Sequence, residues 1–318
     1  MVREVQGDHA ILIRLLDALE SLRAAVWPRA AHRFVPAAFL LPAVALVGLL
    51  AAGVLVLGEA SLHRLDTETF ETDAAWSRDN YVQVLWQPVT WIVLARSVGG
   101  AVVVTLVTLA LAFPYAYVMV RTPHASVRKA LLVGLFLPFF IGQVVRAYGW
   151  LILLGQDGLV NHVLGAIGVG PVRLLWSLPT VLFGLVQYML PFAVLLIAPA
   201  VTAIDDEVER ASESLGADWL RTFRHVVLPM ARPGLVAAAL VVFTLTLTDY
   251  AMPVVLGGGM HDFAANAVYD AFFRLSDSGL GAAWAVVLTS VATAAAGGLL
   301  VWAGTGTLGF RVRESATT

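Results

Sequence analysis

The 318-residue chain contains no cysteine, and its single lysine is Lys129. Without thiols it forms no disulfide, no thiolate nucleophile and no thiolate metal site, and its redox compartment leaves no trace in the sequence. The lone lysine stands in Val127-Arg128-Lys129-Ala130, not at the end of a glycine-rich phosphate loop, so the chain is not itself an ATPase. Charge is scarce as well. Only 13% of residues are charged and the net charge is -2, which provides no basic stripe for nucleic-acid phosphates. The seven histidines are dispersed, none at ligand spacing to another, so no metal site is expected.

What is present is apolar. Hydrophobic residues make up 59% of the chain, and the mean hydropathy is +0.82, far outside the balance of soluble domains. The apolar residues come in long blocks, and a hydrocarbon core of about 30 Å needs roughly 20 of them per helix. In hydrocarbon every backbone N–H and C=O must be paired within a helix or a closed barrel. Uncharged runs without strict alternation select helices.

The expected architecture is therefore an all-α membrane protein with a six-helix transmembrane domain over 34–310. Its spans lie at about 34–58, 91–120, 130–154, 177–203, 234–255 and 281–302. Pro114 lies inside the second span and predicts a kink there. Residues 1–33 hold an amphipathic segment with Ile11, Leu12, Leu15, Leu16, Leu19 and Leu22 on one side. Charged residues from Arg3 to Arg23 precede any long apolar run, so no cleaved signal is expected. Residues 59–90 form an acidic external loop, a glycine-rich connection follows from Gly155 to Trp176, 204–233 form a cytoplasmic loop and 311–318 a tail. Six spans put both termini on one side. With that side cytoplasmic, five Lys or Arg precede the first span, three lie at 121–129, four at 203–233 and two at the C-terminus, fourteen in all against six elsewhere. The positive-inside rule thus places both termini in the cytoplasm.

The cytoplasmic loop at 204–233 carries the most local information. Asp205, Asp206, Glu207 and Glu209 suit the start of a helix, and Gly216 suits the left-handed position that ends one. Asp218 can cap a second helix, in which Trp219, Leu220, Phe223, Val226 and Val227 recur at helical spacing before Pro229 interrupts it. Helix, glycine turn, helix and proline project a compact knob. Such a knob is either a docking element or an ordinary loop packed on its own bundle.

These residues resemble the integral-membrane permeases of binding-protein-dependent ABC importers. The family's cytoplasmic motif is Glu-Ala-Ala, three residues, Gly, nine residues, a β-branched aliphatic, one residue and Leu-Pro. Gly216, Val226, Leu228 and Pro229 stand at those offsets, with Ala211 in the middle of the opening triplet. Arg210 and Ser212 replace its outer residues, with Glu209 one position early, which puts in question the ion pair of the usual Glu. The resemblance spans about 37–310 and is closest to the first permease of spermidine/putrescine-type systems. Its other landmarks are Asn80-Tyr81, Arg96-Ser97, Pro114-Tyr115-Ala116-Tyr117, Arg146-Ala147-Tyr148-Gly149-Trp150 and Thr248-Asp249-Tyr250.

The resemblance implies a type I importer permease of the bacterial inner membrane, with no catalytic residue and no cofactor of its own. It implies a separate ABC ATPase dimer that holds ATP and magnesium, a second homologous permease, and a periplasmic or lipid-anchored solute-binding protein. The knob, through Glu209, Arg210, Ala211, Ser212, Gly216, Leu228 and Pro229, would contact the ATPase. For the solute, Asp249 stands out, because an ionisable group inside a span is costly and faces a cavity or a partner. A carboxylate suits a cationic amine; the structural alternative is a pair with Arg146 or a position at the outer edge of the span. Tyr250, Tyr148 and Trp150 offer aromatic faces to an ammonium group, or act as interfacial anchors. A different solute, such as an amino-acid derivative, an opine or a metal complex, fits the same pattern. An ion-coupled secondary transporter would show inverted repeats, and a membrane enzyme would need more convergent polar groups than Asp249 and Arg146.

Overall fold

A computed structural model describes residues 35–66, 69 and 72–303. The expected amphipathic segment at 1–33 and the tail at 311–318 lie outside the described residues. The chain divides into two compact units between Leu57 and Gly58. In the first lies most of α1, Val35–Ala60, whose one ionisable residue, Glu59, stands at its very end. Every side chain from Phe39 to Leu57 is exposed and apolar or glycine, the composition of a helix solvated by lipid.

The second unit opens with a hairpin inside the segment expected as a loop. Strands β1, His63–Leu65, and β2, Thr72–Trp76, pair antiparallel, His63 opposite Trp76 and Leu65 opposite Thr72. Helix α2, Asp79–Trp86, fastens it: the Asn80 amide donates to the carbonyls of Ser61 and His63 at 3.0 and 2.8 Å. Helix α3 then runs for 34 residues, Pro88–Arg121, a length of about 50 Å that overshoots the hydrocarbon core at its ends. It passes Pro114 without a break.

The segment expected to cross at 130–154 is bent. Helix α4, Ala125–Phe136, ends in a 3₁₀ turn, Leu137–Phe140, and the chain bends by 99° into α5, Gln143–Leu153. Pro138 and Gly142 explain the position, since one lacks an N–H and the other carries no side chain. A short helix α6, Leu159–Ala166, precedes α7, Leu178–Thr202. Two loop helices follow, α8, Asp206–Ser214, and α9, Trp219–Met230. The segment expected to cross at 234–255 is also divided. Helix α10, Arg232–Leu247, meets α9 at 69° and stops before Thr248, and α11, Ala251–Gly257, starts afresh. Helix α12, Ala264–Tyr269, and a π turn, Asp270–Arg274, lead into α13, Ser278–Ala303.

Four described helices are long and apolar enough to cross a membrane, or up to six spans result if each bent pair is one. The core lies where α3, α7 and α10 meet, around Val104, Ala112, Leu185, Met189, Ile197 and Val242. Close approach depends on small residues. A Cβ at Gly234 would stand 2.5 Å from the Ala200 methyl and 3.0 Å from the Leu196 carbonyl oxygen. A second cluster, with Leu94, Phe243, Leu247 and Leu288, seats α13 against α3 and α10.

Candidate functional site

The loop between α7 and α10 is built by local signals. The Asp205 carboxylate accepts the Glu207 N–H at 3.0 Å and starts α8, whose first turn holds Asp206, Glu207 and Glu209 against the positive end of the helix dipole. Gly216 ends it at φ +87°. Its N–H bonds the Glu213 carbonyl at 2.9 Å and that of Ala217 reaches Ser212 at 3.2 Å, the two bonds of a Schellman turn. Asp218 then accepts the Arg221 N–H at 2.8 Å and caps α9. Pro229 does not interrupt α9 as the sequence predicts. A π turn, Phe223–Val227, widens the helix just before it, which accommodates a ring that would otherwise crowd the preceding turn.

One face of this knob is fastened to α3. The Phe223 ring lies edge-on to Phe113 and Tyr117, centroids 5.0 and 5.4 Å apart, and stacks on Trp219 at 5.4 Å. Glu209 is turned inward, accepting the Tyr117 O–H at 2.7 Å and the Arg121 Nε–H at 2.8 Å. The carboxylate one position early in the motif therefore makes an ion pair within its own chain. Ser212 bonds Thr222 at 3.0 Å and so ties α8 to α9, and Leu228 packs on the core. The other face is open. Arg210, Ala211, Gly216 and Pro229 are exposed, as are Leu215 at 89%, Leu220 at 62% and Trp219 at 57%. In the sequence Arg121 stands out only as one cytoplasmic charge among fourteen; the signal for its role is the placement of Tyr117 and Arg121 four apart at the end of one helix.

A second constellation forms where two helix breaks meet. Asp249 lies between α10 and α11, 7% exposed; its Oδ1 accepts the Met252 N–H at 2.9 Å, and its Oδ2 accepts from the Gln143 amide. One turn beyond Gln143, Arg146 is 8% exposed. It braces the 99° bend, its Nη2 donating to the carbonyls of Pro138 and Ile141. Its guanidinium lies 5.4 Å from the Tyr188 ring centroid. Nε and Nη1 of Arg146 have no acceptor among the described residues.

The alternative of an Arg146–Asp249 pair does not hold: among the described residues no ion pair joins them. Trp150 extends the Arg146 face, its ring 4.7 Å from that of Phe183 and its Nε1 donating to Gln187 at 3.5 Å. Tyr250 is engaged elsewhere, 4.4 Å from Tyr269, which lies 4.7 Å from Phe273. Tyr148 is 55% exposed and joins neither group. Gln143 and Tyr188 were not singled out from the sequence, because neither is charged and their approach depends on the bend.

Near the start of α3, Arg96 donates to the carbonyls of Met260 and Asp262 at 3.4 and 3.3 Å, and Ser97 accepts the Ala264 N–H at 2.8 Å. These landmarks fix the loop before α12. Burial, and then the neighbouring Asp270, push the Asp262 carboxyl above its ordinary range, against the pull of Arg274, Arg96 and His261. Among the described residues no three His, Asp or Glu converge as a metal site.

Broken apolar helices around a buried polar cluster, with a capped helical knob beside them, have the length and composition of a helical membrane protein. The family model for the inner membrane component of binding-protein-dependent transport systems matches residues 111–305. The spermidine/putrescine transport system permease protein PotB of Escherichia coli (strain K12) is 31% identical over 240 residues, 75% of this chain and 86% of that protein. The inner membrane ABC transporter permease protein YdcU of the same strain is 31% identical over 219 residues, 65% of this chain and 70% of that one. In fold, the chain is similar to the crystal structure of a bacterial ABC transporter involved in the import of the acidic polysaccharide alginate, with a TM-score of 0.68, 16% identity, and 90% of this chain and 99% of that one covered. The chain belongs to the binding-protein-dependent transport system inner membrane component family. It is a multi-pass inner membrane protein and a permease subunit of an ABC importer.

Proposed function

We propose that this permease forms half of a translocation pathway for a small organic solute, a polyamine or related cationic amine. Each bent pair counts as one span, giving six, with both termini cytoplasmic as the distribution of Lys and Arg favours. A second homologous permease completes the pathway within the lipid bilayer. ATP and magnesium sit on a separate ABC ATPase dimer, and a periplasmic or lipid-anchored protein delivers the solute. The relatives named for spermidine and putrescine support the solute class. A similar fold was solved in a complex with an alginate pentasaccharide-bound periplasmic protein, which supports the delivery partner.

One observation carries the docking role. Leu215, Trp219 and Leu220 are exposed on a capped, glycine-turned element whose opposite face is already fastened to α3. Apolar side chains held outward on a rigid base suit burial against another subunit. Asp249, with Gln143 beside it, is the residue we assign to the ammonium group, in a setting where an unshared carboxylate is costly. Trp150 and Tyr188 contribute ring faces.

Arg146 favours a second reading. Two of its buried nitrogens have no acceptor, and a solute bearing a carboxylate as well as an amine, such as an amino-acid derivative or opine, would supply one. Thermal shift of the cognate solute-binding protein separates the two. Stabilisation by spermidine or putrescine supports the amine, stabilisation only by zwitterionic compounds supports the second reading, and a response to neither overturns both.

A further inference from the structure

Arg121, the last residue of α3, holds three helix ends together with one planar group. Its Nη2 donates to the Ile204 carbonyl at 2.7 Å, just past the end of α7. Its Nη1 meets Asp206 at 2.6 Å, and Nη2 and Nε meet Glu209 at 2.6 and 2.8 Å. The other oxygen of Glu209 takes the Tyr117 O–H at 2.7 Å. All three guanidinium nitrogens are engaged, and the Arg121 and Glu209 side chains are only 18% and 12% exposed. Salt therefore screens this pair less than a surface pair, and its planar fork fixes direction as well as distance. The rings of Phe113, Tyr117, Phe223 and Trp219 could slide on one another with little cost; the fork could not.

We propose that Arg121 is a positioning residue of the transport cycle, the clasp through which a displacement of the docking loop reaches α3 and α7 as a rigid movement. The proposal rests on the docking role of the loop. With the clasp intact, α8 and α3 move as one body when nucleotide binds to the ATPase. With it broken, α8 yields locally, and the ATPase works against a loop that no longer drives the spans. Glu209 and Tyr117 serve the clasp by occupying the fork and by holding the carboxylate from its other side. Lysine cannot replace Arg121, because a point charge on a flexible stem does not reach the Ile204 carbonyl, Asp206 and Glu209 together.

This chain has no cysteine, so with any cysteines of the ATPase and second permease replaced by serine, the whole complex carries labels only where they are introduced. Spin labels on Glu207→Cys in α8 and Val102→Cys in α3 report their separation by pulsed electron resonance, without nucleotide and with ATP plus vanadate. The expected result is one narrow separation in both states for the parent. Arg121→Lys is expected to give a separation that broadens or shifts with nucleotide, while ATP hydrolysis stays within about twofold. Glu209→Gln is the milder second variant and is expected to shift in the same direction. An unchanged separation in both variants, with the ATPase still bound, overturns the clasp alone. So does loss of the ATPase from both variants, since Arg121 would then hold the loop's fold and nothing more. Failure of the ATPase to bind the unaltered chain overturns the docking role instead.

Discussion

The Asp249 carboxyl group accepts the Met252 N–H at 2.9 Å and so helps to start α11 where α10 has stopped, making one residue both a helix cap and a buried ionisable group. The two roles separate by substitution. Asparagine retains an oxygen for the Met252 N–H and removes the charge. Asp249→Asn is therefore expected to leave complex assembly intact and to lower ATP-driven spermidine uptake in proteoliposomes by about tenfold, the scale of one charge-assisted hydrogen bond. Asp249→Ala is expected to lose the cap as well, at about 1 kcal/mol in stability. Parental uptake by the Asn variant would leave Asp249 as a cap alone.

Gly216 ends α8 at φ +87°, a conformation that a β-branched residue adopts only under strain. Gly216→Val is expected to abolish ATP-coupled uptake without preventing membrane insertion. Gly216→Asn, which tolerates the left-handed region, is expected to retain a measurable part of it. Uptake and membrane content measured together decide the matter; normal uptake by the valine variant would remove this turn from the docking role.

What the sequence made legible follows from how local each signal is. The apolar runs of α1, α3, α7 and α13 announce themselves by length, and the caps Asp205, Gly216 and Asp218 lie within a few residues of what they cap. The bends at Ile141-Gly142 and Thr248–Tyr250 were not legible, because a broken span has the same composition as a straight one. Strands of three and five residues were too short to show alternation. The Arg121–Glu209 pair joins residues 88 positions apart, and no periodicity encodes such a contact. Pro229 misled because a widened turn before it absorbs the ring that usually ends a helix.

Close packing of α7 on α10 yields a third prediction. A methyl group at Gly234 would stand 2.5 Å from that of Ala200 and 3.0 Å from the Leu196 carbonyl, and neither neighbour has a flexible end that can turn away. Gly234→Ala is expected to push the helices apart and to cost about 1–3 kcal/mol, the usual range for overpacking. The check is a lowered thermal midpoint in detergent, with the double variant Gly234→Ala/Ala200→Gly recovering part of it. An unchanged midpoint would mean that the interface yields more readily than its geometry indicates.

Asp262 makes stability depend on pH. Its carboxyl is held above its ordinary range, chiefly by burial and then by Asp270, and its Oδ1 has no hydrogen-bond partner among the described residues. The folded chain therefore holds this proton more tightly than the unfolded chain does. The resulting stabilisation is complete below the unfolded carboxylate pKa, about 3.9, and is lost as pH rises through the higher folded value. Asp262→Asn carries no titrating proton, so its thermal midpoint is expected to fall less than the parent's across that interval. The two profiles should diverge most at the neutral end, where the parent bears the half-buried charge. Parallel profiles would show that Asp262 ionises in the folded protein as freely as in water, and that the dependence on pH arises elsewhere.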